Sequence, residues 1–217
     1  MRTKEKIIEL LLNTDRSGMA KLIHWLEKDG FFEAPASTKF HGSYPGGLAE
    51  HSKRVYELLM FYSGLKLDKA RAPGQKPLPL NVDNIKIAGL LHDVCKIGAY
   101  LGIEKPYKWN RKQPKGHALL SIERIQKFIE LEPIERLMIK YHMGVYGLNE
   151  FYGEDDWQTG EYPLRGDHSN DEGMSKEESQ KAHYGKSMAN AWFHNPICKL
   201  MYFCDEIATL EEKSKEI

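Results

Sequence analysis

The sequence predicts an all-α fold on three observations. Successive segments repeat apolar residues at helical spacing, strand signals are scarce, and Gly, Pro and Asx residues fall where helices would start and stop. The first segment, residues 4–12, is apolar at Ile7, Ile8, Leu11 and Leu12. The second, 19–28, repeats the pattern with Leu22, Ile23, Trp25 and Leu26, and Asp29-Gly30 ends it. After a Pro/Ser loop containing His41, the run Pro45-Gly46-Gly47 releases a helix over 48–62 with His51 in its first turn. A Pro- and Lys-rich linker over 67–80 follows. The residues from Asn81 to Asn84 then offer caps for a helix that buries Ile85, Ala88, Leu90 and Leu91 and carries His92-Asp93 near its end. Two further helices are predicted over 116–131 and 134–143, with His117 at the start of one and His142 at the end of the other. The last, over 186–213, is apolar at Met188, Trp192, Ile197, Leu200, Met201 and Cys204 and breaks near Asn195-Pro196. Between these, residues 145–185 are long, polar and acidic, with Tyr152, Trp157 and Tyr162 among them. They read either as a lid or as a tolerated surface insertion.

Length and composition bound the alternatives. A chain of 217 residues buries a working core, and we read one domain over 1–217: a helical extension over 1–39, a core over 40–212, and the insertion over 145–185. The longest apolar runs are too short to cross a bilayer, so no membrane association is expected. The N-terminal apolar stretch is interrupted by Glu9 and lacks a small-residue cleavage site. Three cysteines with no CxxC spacing argue against a disulfide framework and a thiolate zinc site alike, and a reducing cytoplasm fits best. Lys plus Arg equals Asp plus Glu at 31 each, which leaves no global basic field for nucleic acid. No internal repeat points to a protein partner, and the oligomeric state stays open.

Six metal-capable side chains stand out on several separate predicted helices: His51, the adjacent pair His92 and Asp93, His117, His142 and Asp205. Imidazole and carboxylate suit divalent manganese, iron, nickel, cobalt or zinc, and gathering several of them is costly unless an ion repays it. His92-Asp93 follows four apolar or small residues, and a buried carboxylate needs a partner. The bland alternative is a satisfied core pair. Asp205 lies within a core-facing helical run and reads equally as a buried salt bridge. His24, His168, His183 and His194 are assigned surface or packing roles. Separately, Lys105, Lys108, Arg111, Lys112 and Lys115 surround Tyr107 and Trp109 just before His117. Lys108, Trp109 and Arg111 are candidates to bind a phosphate and stack on a base. The same run also reads as a solvated basic loop with one packing Trp.

The motifs GGLAEHS, LLHDVCKIG and YFCDE, in this order, resemble the His…His-Asp…Asp signature of the HD-domain superfamily of metal-dependent phosphohydrolases, over roughly residues 40–210. HGSYPGGLAEHS, GHALLSIERI and MIKYHMG are most similar to the HD domain attached to OB-fold modules in bacterial 3'-to-5' exoribonucleases. The resemblance implies an HD-domain helical bundle with the polar insertion before its last helix. It also implies two divalent transition-metal ions, the first on His51, His92, Asp93 and Asp205 and the second on Asp93, His117 and His142, with Asp93 bridging. Lys96 would face the substrate phosphate, and His41 would lie near the leaving group. Asp93 and Lys96 are thus the expected catalytic residues. Cys95 stands where the family motif HDxGK has glycine, and the attached OB-fold is not part of this sequence.

A site of this kind hydrolyses a phosphate ester with a metal-activated water, and the expected substrate is a nucleotide or short oligonucleotide. Two other classes remain open. The six-residue pattern also resembles HD-fold di-iron oxygenases, and a non-catalytic nucleotide sensor would keep the ligands without turnover.

Overall fold

The computed structural model describes residues 2–64, 80–114, 116–144 and 176–214, with the backbone alone over 176–183. Most of the expected 67–80 linker, the 145–175 part of the insertion, Lys115 and His168 lie outside the described residues. The helices are α1 (Thr3–Leu12), α2 (Met19–Lys28), α3 (Gly47–Ser63), α4 (Val82–Leu91), α5 (His117–Gln126), α6 (Pro133–Tyr141), α7 (Lys176–His194) and α8 (Pro196–Ser214). Strands β1 (Tyr100–Leu101) and β2 (Lys108–Trp109) form one short antiparallel pair, with Tyr100 opposite Trp109. The all-α class holds.

Helix α3 lies at the centre, packed on α4 along one side and on α8 along another, while α6 bridges α4, α5 and α8. Its close approach to α4 depends on Gly89, because a Cβ there would come within 3.0 Å of the Tyr56 backbone. Ile7, Leu11, Leu22 and Leu26 of the N-terminal pair are fully buried in the same cluster as Leu48, Leu59, Leu90 and Leu91. Helices α1 and α2 therefore share one core with α3 and α4. Fully burying one such side chain is worth about 1.5–3 kcal/mol.

Most boundaries fall within two residues of the sequence expectation, and three differences change the picture. Helix α5 stops at Gln126 rather than at residue 131, because Ile129 and Leu131 are buried from the turn that follows it. Apolar spacing does not distinguish that turn from a further helical turn. Helix α7 begins at Lys176 rather than at residue 186 and runs through Gly185, where an added Cβ would meet nothing within 4 Å. A glycine read as a boundary is here an interior residue. Helix α4 ends at Leu91, so His92 caps it and Asp93 starts a separate 3-10 turn, Val94–Lys96. No helix among the described residues is long and apolar enough to cross a membrane.

Candidate metal centre

Five elements converge on one point: the first turn of α3 (His51), the end of α4 and the turn after it (His92, Asp93, Lys96), the start of α5 (His117), the end of α6 (His142) and the middle of α8 (Asp205). The glycine pair makes the first of these placements possible. Gly46 has φ +85°, in the left-handed region, and a Cβ on Gly47 would lie 2.0 Å from the Gly42 carbonyl oxygen. The loop can therefore cross directly over the start of α3, which brings the His41 ring to 5.1 Å from that of His51.

The turn after α4 is clamped from α5. Arg124 Nη1 donates to the carbonyls of Val94, Cys95 and Ile97 at 2.9–3.0 Å, and Cys95 N donates to Ser121 Oγ at 3.1 Å. Cys95, which stands where the motif that the sequence resembles has glycine, lies inside the 3-10 turn, a conformation open to any L residue. Its thiol turns inward, and Sγ lies 3.1 Å from His117 Nδ1.

The four histidines share one orientation. His92 Nδ1 donates to Gly89 O at 3.0 Å and His142 Nδ1 to Ile139 O at 2.6 Å. Each uses a carbonyl left over at a helix C-terminus. A carbonyl carries no proton, so Nδ1 is the donor and Nε2 of the neutral ring is a bare lone pair. Both Nε2 atoms are buried and make no hydrogen bond. His51 Nδ1 meets Glu212 Oε1 at 3.1 Å, and His117 Nδ1 meets the Cys95 thiol. In every case the δ nitrogen is held on the outside and the ε nitrogen faces the centre.

Asp93 divides the centre in two. Its Oδ2 is 2.7 Å from Lys96 Nζ, 3.4 Å from His92 Nε2 and 3.9 Å from His51 Nε2. Its Oδ1 is 2.6 Å from His117 Nε2 and 3.6 Å from His142 Nε2. Asp205 Oδ1 completes the first side, 2.9 Å from His51 Nε2 and 3.8 Å from His92 Nε2. Asp93 is 2% exposed and Asp205 9%. Ligand atoms of His51, His92 and Asp205, and of His92, Asp93 and His142, lie within 4.8 Å of one another, as do those of Asp93, Cys95 and His117. The bare Nε2 atoms of His92 and His142 and the carboxylate oxygens of Asp93 and Asp205, joined by His51 and His117 once these give up a proton, are a donor set for a cation, and these residues fit a divalent ion.

Ionisation follows from the packing. Burial opposes charge on Asp93, but Lys96, His92 and His117 around it hold its carboxyl well below the usual range. Burial likewise opposes charge on Asp205, whose hydrogen bond from His51 holds its carboxyl below that range. Burial alone would lower Lys96, yet the Asp93 carboxylate beside it keeps the ammonium protonated. Burial works against a charged His51, while its hydrogen bonds to Asp205 and Glu212 carry it up to about 9. Burial also opposes charge on His117, which Cys95 and Asp93 hold well above its ordinary value. Burial, with Lys96 and His51 nearby, pulls His41 down to about 3, so that ring is neutral.

A cavity of about 470 Å³ opens beside the centre, lined by His41, Cys95, Lys96, Tyr100, Trp109 and His117 among others. Trp109 packs edge-on against Tyr100 at 5.7 Å. Lys108 and Arg111 are exposed and do not line this cavity. Glu212 escaped the sequence reading, although its position seven residues after Asp205, on the same face of the predicted last helix, was a usable signal.

The HD-domain family profile matches residues 48–181, and the chain belongs to the HD-domain family. Members of this family are in general metal-dependent phosphohydrolases. The match takes in His51, His92, Asp93, His117 and His142 and stops before Asp205. Searches of curated proteins and of solved structures return no match.

Proposed function

We propose that the chain hydrolyses a phosphate ester of a nucleotide or short oligonucleotide, with two divalent ions. His51, His92, Asp93 and Asp205 would hold the first ion, and Asp93, His117 and His142 the second. The observation that carries the reading is the common orientation of four imidazoles around a carboxylate whose two oxygens face opposite halves of one centre. Divalent ions bound there supply Lewis-acid polarisation of phosphoryl oxygens and a water acidic enough to attack at neutral pH.

The chain's own residues do the rest. Asp93 would contribute to both positions, with Oδ2 beside His92 and Lys96 and Oδ1 beside His117. Lys96, charged and on the cavity wall, offers its ammonium to a phosphoryl oxygen as negative charge develops. Neutral His41 stands on the same wall and serves the leaving group as a hydrogen-bonding partner without adding charge. Trp109 and Tyr100 give a flat group an aromatic surface, which suits a nucleobase. Lys108 and Arg111 attract the anion from outside the cavity.

Metal content by elemental mass spectrometry, on protein purified without chelator and on an Asp93→Ala variant, tests the reading alongside hydrolysis of nucleoside phosphodiesters with added Mn²⁺. The expected result is close to two ions and turnover in the parent, and loss of both in the variant. A parent that binds no metal after reconstitution sinks the proposal. Turnover only with iron and O2 assigns the site to oxygenase chemistry instead.

A further inference from the structure

Helix α8 grips the His51 imidazole at both nitrogens. Asp205 reaches Nε2 at 2.9 Å, and Glu212, two turns further along the same face, reaches Nδ1 at 3.1 Å. Glu212 is only 9% exposed. Two cations that line the same cleft as Glu212 pair elsewhere: Arg54 makes a two-pronged contact with Glu211, and Lys53 bonds Glu57. Its second oxygen, Oε2, is buried and makes no hydrogen bond, so the bond to His51 is the contact that the side chain's placement serves. Gly42 leaves the space for it, since a Cβ there would lie 3.2 Å from Glu212 Oε2.

We propose that Glu212 is the positioning residue of the first ion position, holding the His51 Nδ1–H outward so that Nε2 presents its lone pair beside His92 and Asp205. This rests on the metal reading above. The role is distinct from those of its neighbours, because His92 and His142 are held by backbone carbonyls that no substitution removes. His51 depends on a side chain. Outer partners of this kind change metal affinity by about 10–100-fold when removed.

Mn²⁺ titration, with free ion followed by electron paramagnetic resonance, on the parent and on Glu212→Ala, Glu212→Gln and Glu211→Ala, tests it. The expected result is that Glu212→Ala weakens one of the two ions by about 10–100-fold and leaves the other unchanged. Glu212→Gln retains an acceptor oxygen and stays near the parent, and Glu211→Ala, which removes the adjacent charge, has no effect. Glu212→Met, which fills the space without an acceptor, stands in should the alanine variant not fold. Parent-like binding in Glu212→Ala, or equal weakening in Glu212→Gln, overturns the positioning role while the metal reading survives. A parent that binds no Mn²⁺ overturns both.

Discussion

Two clusters of buried polar groups among the described residues are built on opposite rules. Beneath the N-terminal pair, Arg16, Asn84, Glu132 and Glu135 form a closed network. Glu135, fully buried, accepts from Arg16 Nη2 at 2.7 Å and Asn84 Nδ2 at 2.9 Å on one oxygen and from the Glu132 backbone at 2.7 Å on the other. Both oxygens of Glu135 are thus matched by donors. The centre at Asp93 gathers acceptors instead, and its buried Nε2 atoms of His92 and His142 have no hydrogen bond. A closed network ties α4 to α6 and needs nothing further, whereas the open one is completed from outside the chain.

The largest expected effect breaks the closed network. Glu135→Ala leaves Arg16 and Asn84 without their shared acceptor and is expected to cost about 3–5 kcal/mol in a urea melt, while the folded protein still takes up metal. In the open cluster, Lys96→Met is expected to lower kcat by about 100–1,000-fold with melting temperature and metal content near those of the parent. A loss of metal in that variant would make Lys96 a structural counter-charge to Asp93 rather than a group that meets substrate. Chelation sharpens the contrast further. Because the ligands come from five elements, a metal at 100 times its Kd is expected to stabilise the fold by about 2.7 kcal/mol, read as the difference between melts with and without EDTA. The same difference should persist, undiminished, in a Glu135 variant.

What the sequence disclosed divides along the same line. His92, Asp93 and Asp205 were legible because an Asp or His inside an apolar helical run is costly, whereas His51, His117 and His142 were singled out by the resemblance, and all six converge on one centre. The boundaries of α5 and α7 were not legible, since Ile129 and Leu131 satisfy a helical pattern from a turn and Gly185 breaks nothing in the helix that contains it. The outer contacts were hidden for a different reason. The bonds of His92 and His142 go to backbone carbonyls, which leave no trace in residue identity. Glu212 and Cys95 do have identities, but their meaning depends on which nitrogen of a distant ring they reach. The Arg16 network joins residues more than a hundred positions apart, a separation across which helical periodicity carries no information.

The subtlest contrast is a dependence on pH that separates the clusters without any mutation. In the metal-free protein His51 is protonated up to about 9, so an ion entering at Nε2 must displace a proton. Metal affinity is therefore expected to rise by about tenfold for each pH unit between roughly 6.5 and 9 and then to level off. Stability of the metal-free protein moves the other way. A histidine whose folded pKa is raised contributes stability that is complete below its unfolded value near 6.5 and is lost as pH rises through about 9. The gap between metal-loaded and chelated melting temperatures should thus widen across that window, from a weakening chelated state and a tightening ion together. A gap that stays constant from pH 6.5 to 9 would mean that no proton leaves His51 when metal enters, and would place the first ion away from that imidazole.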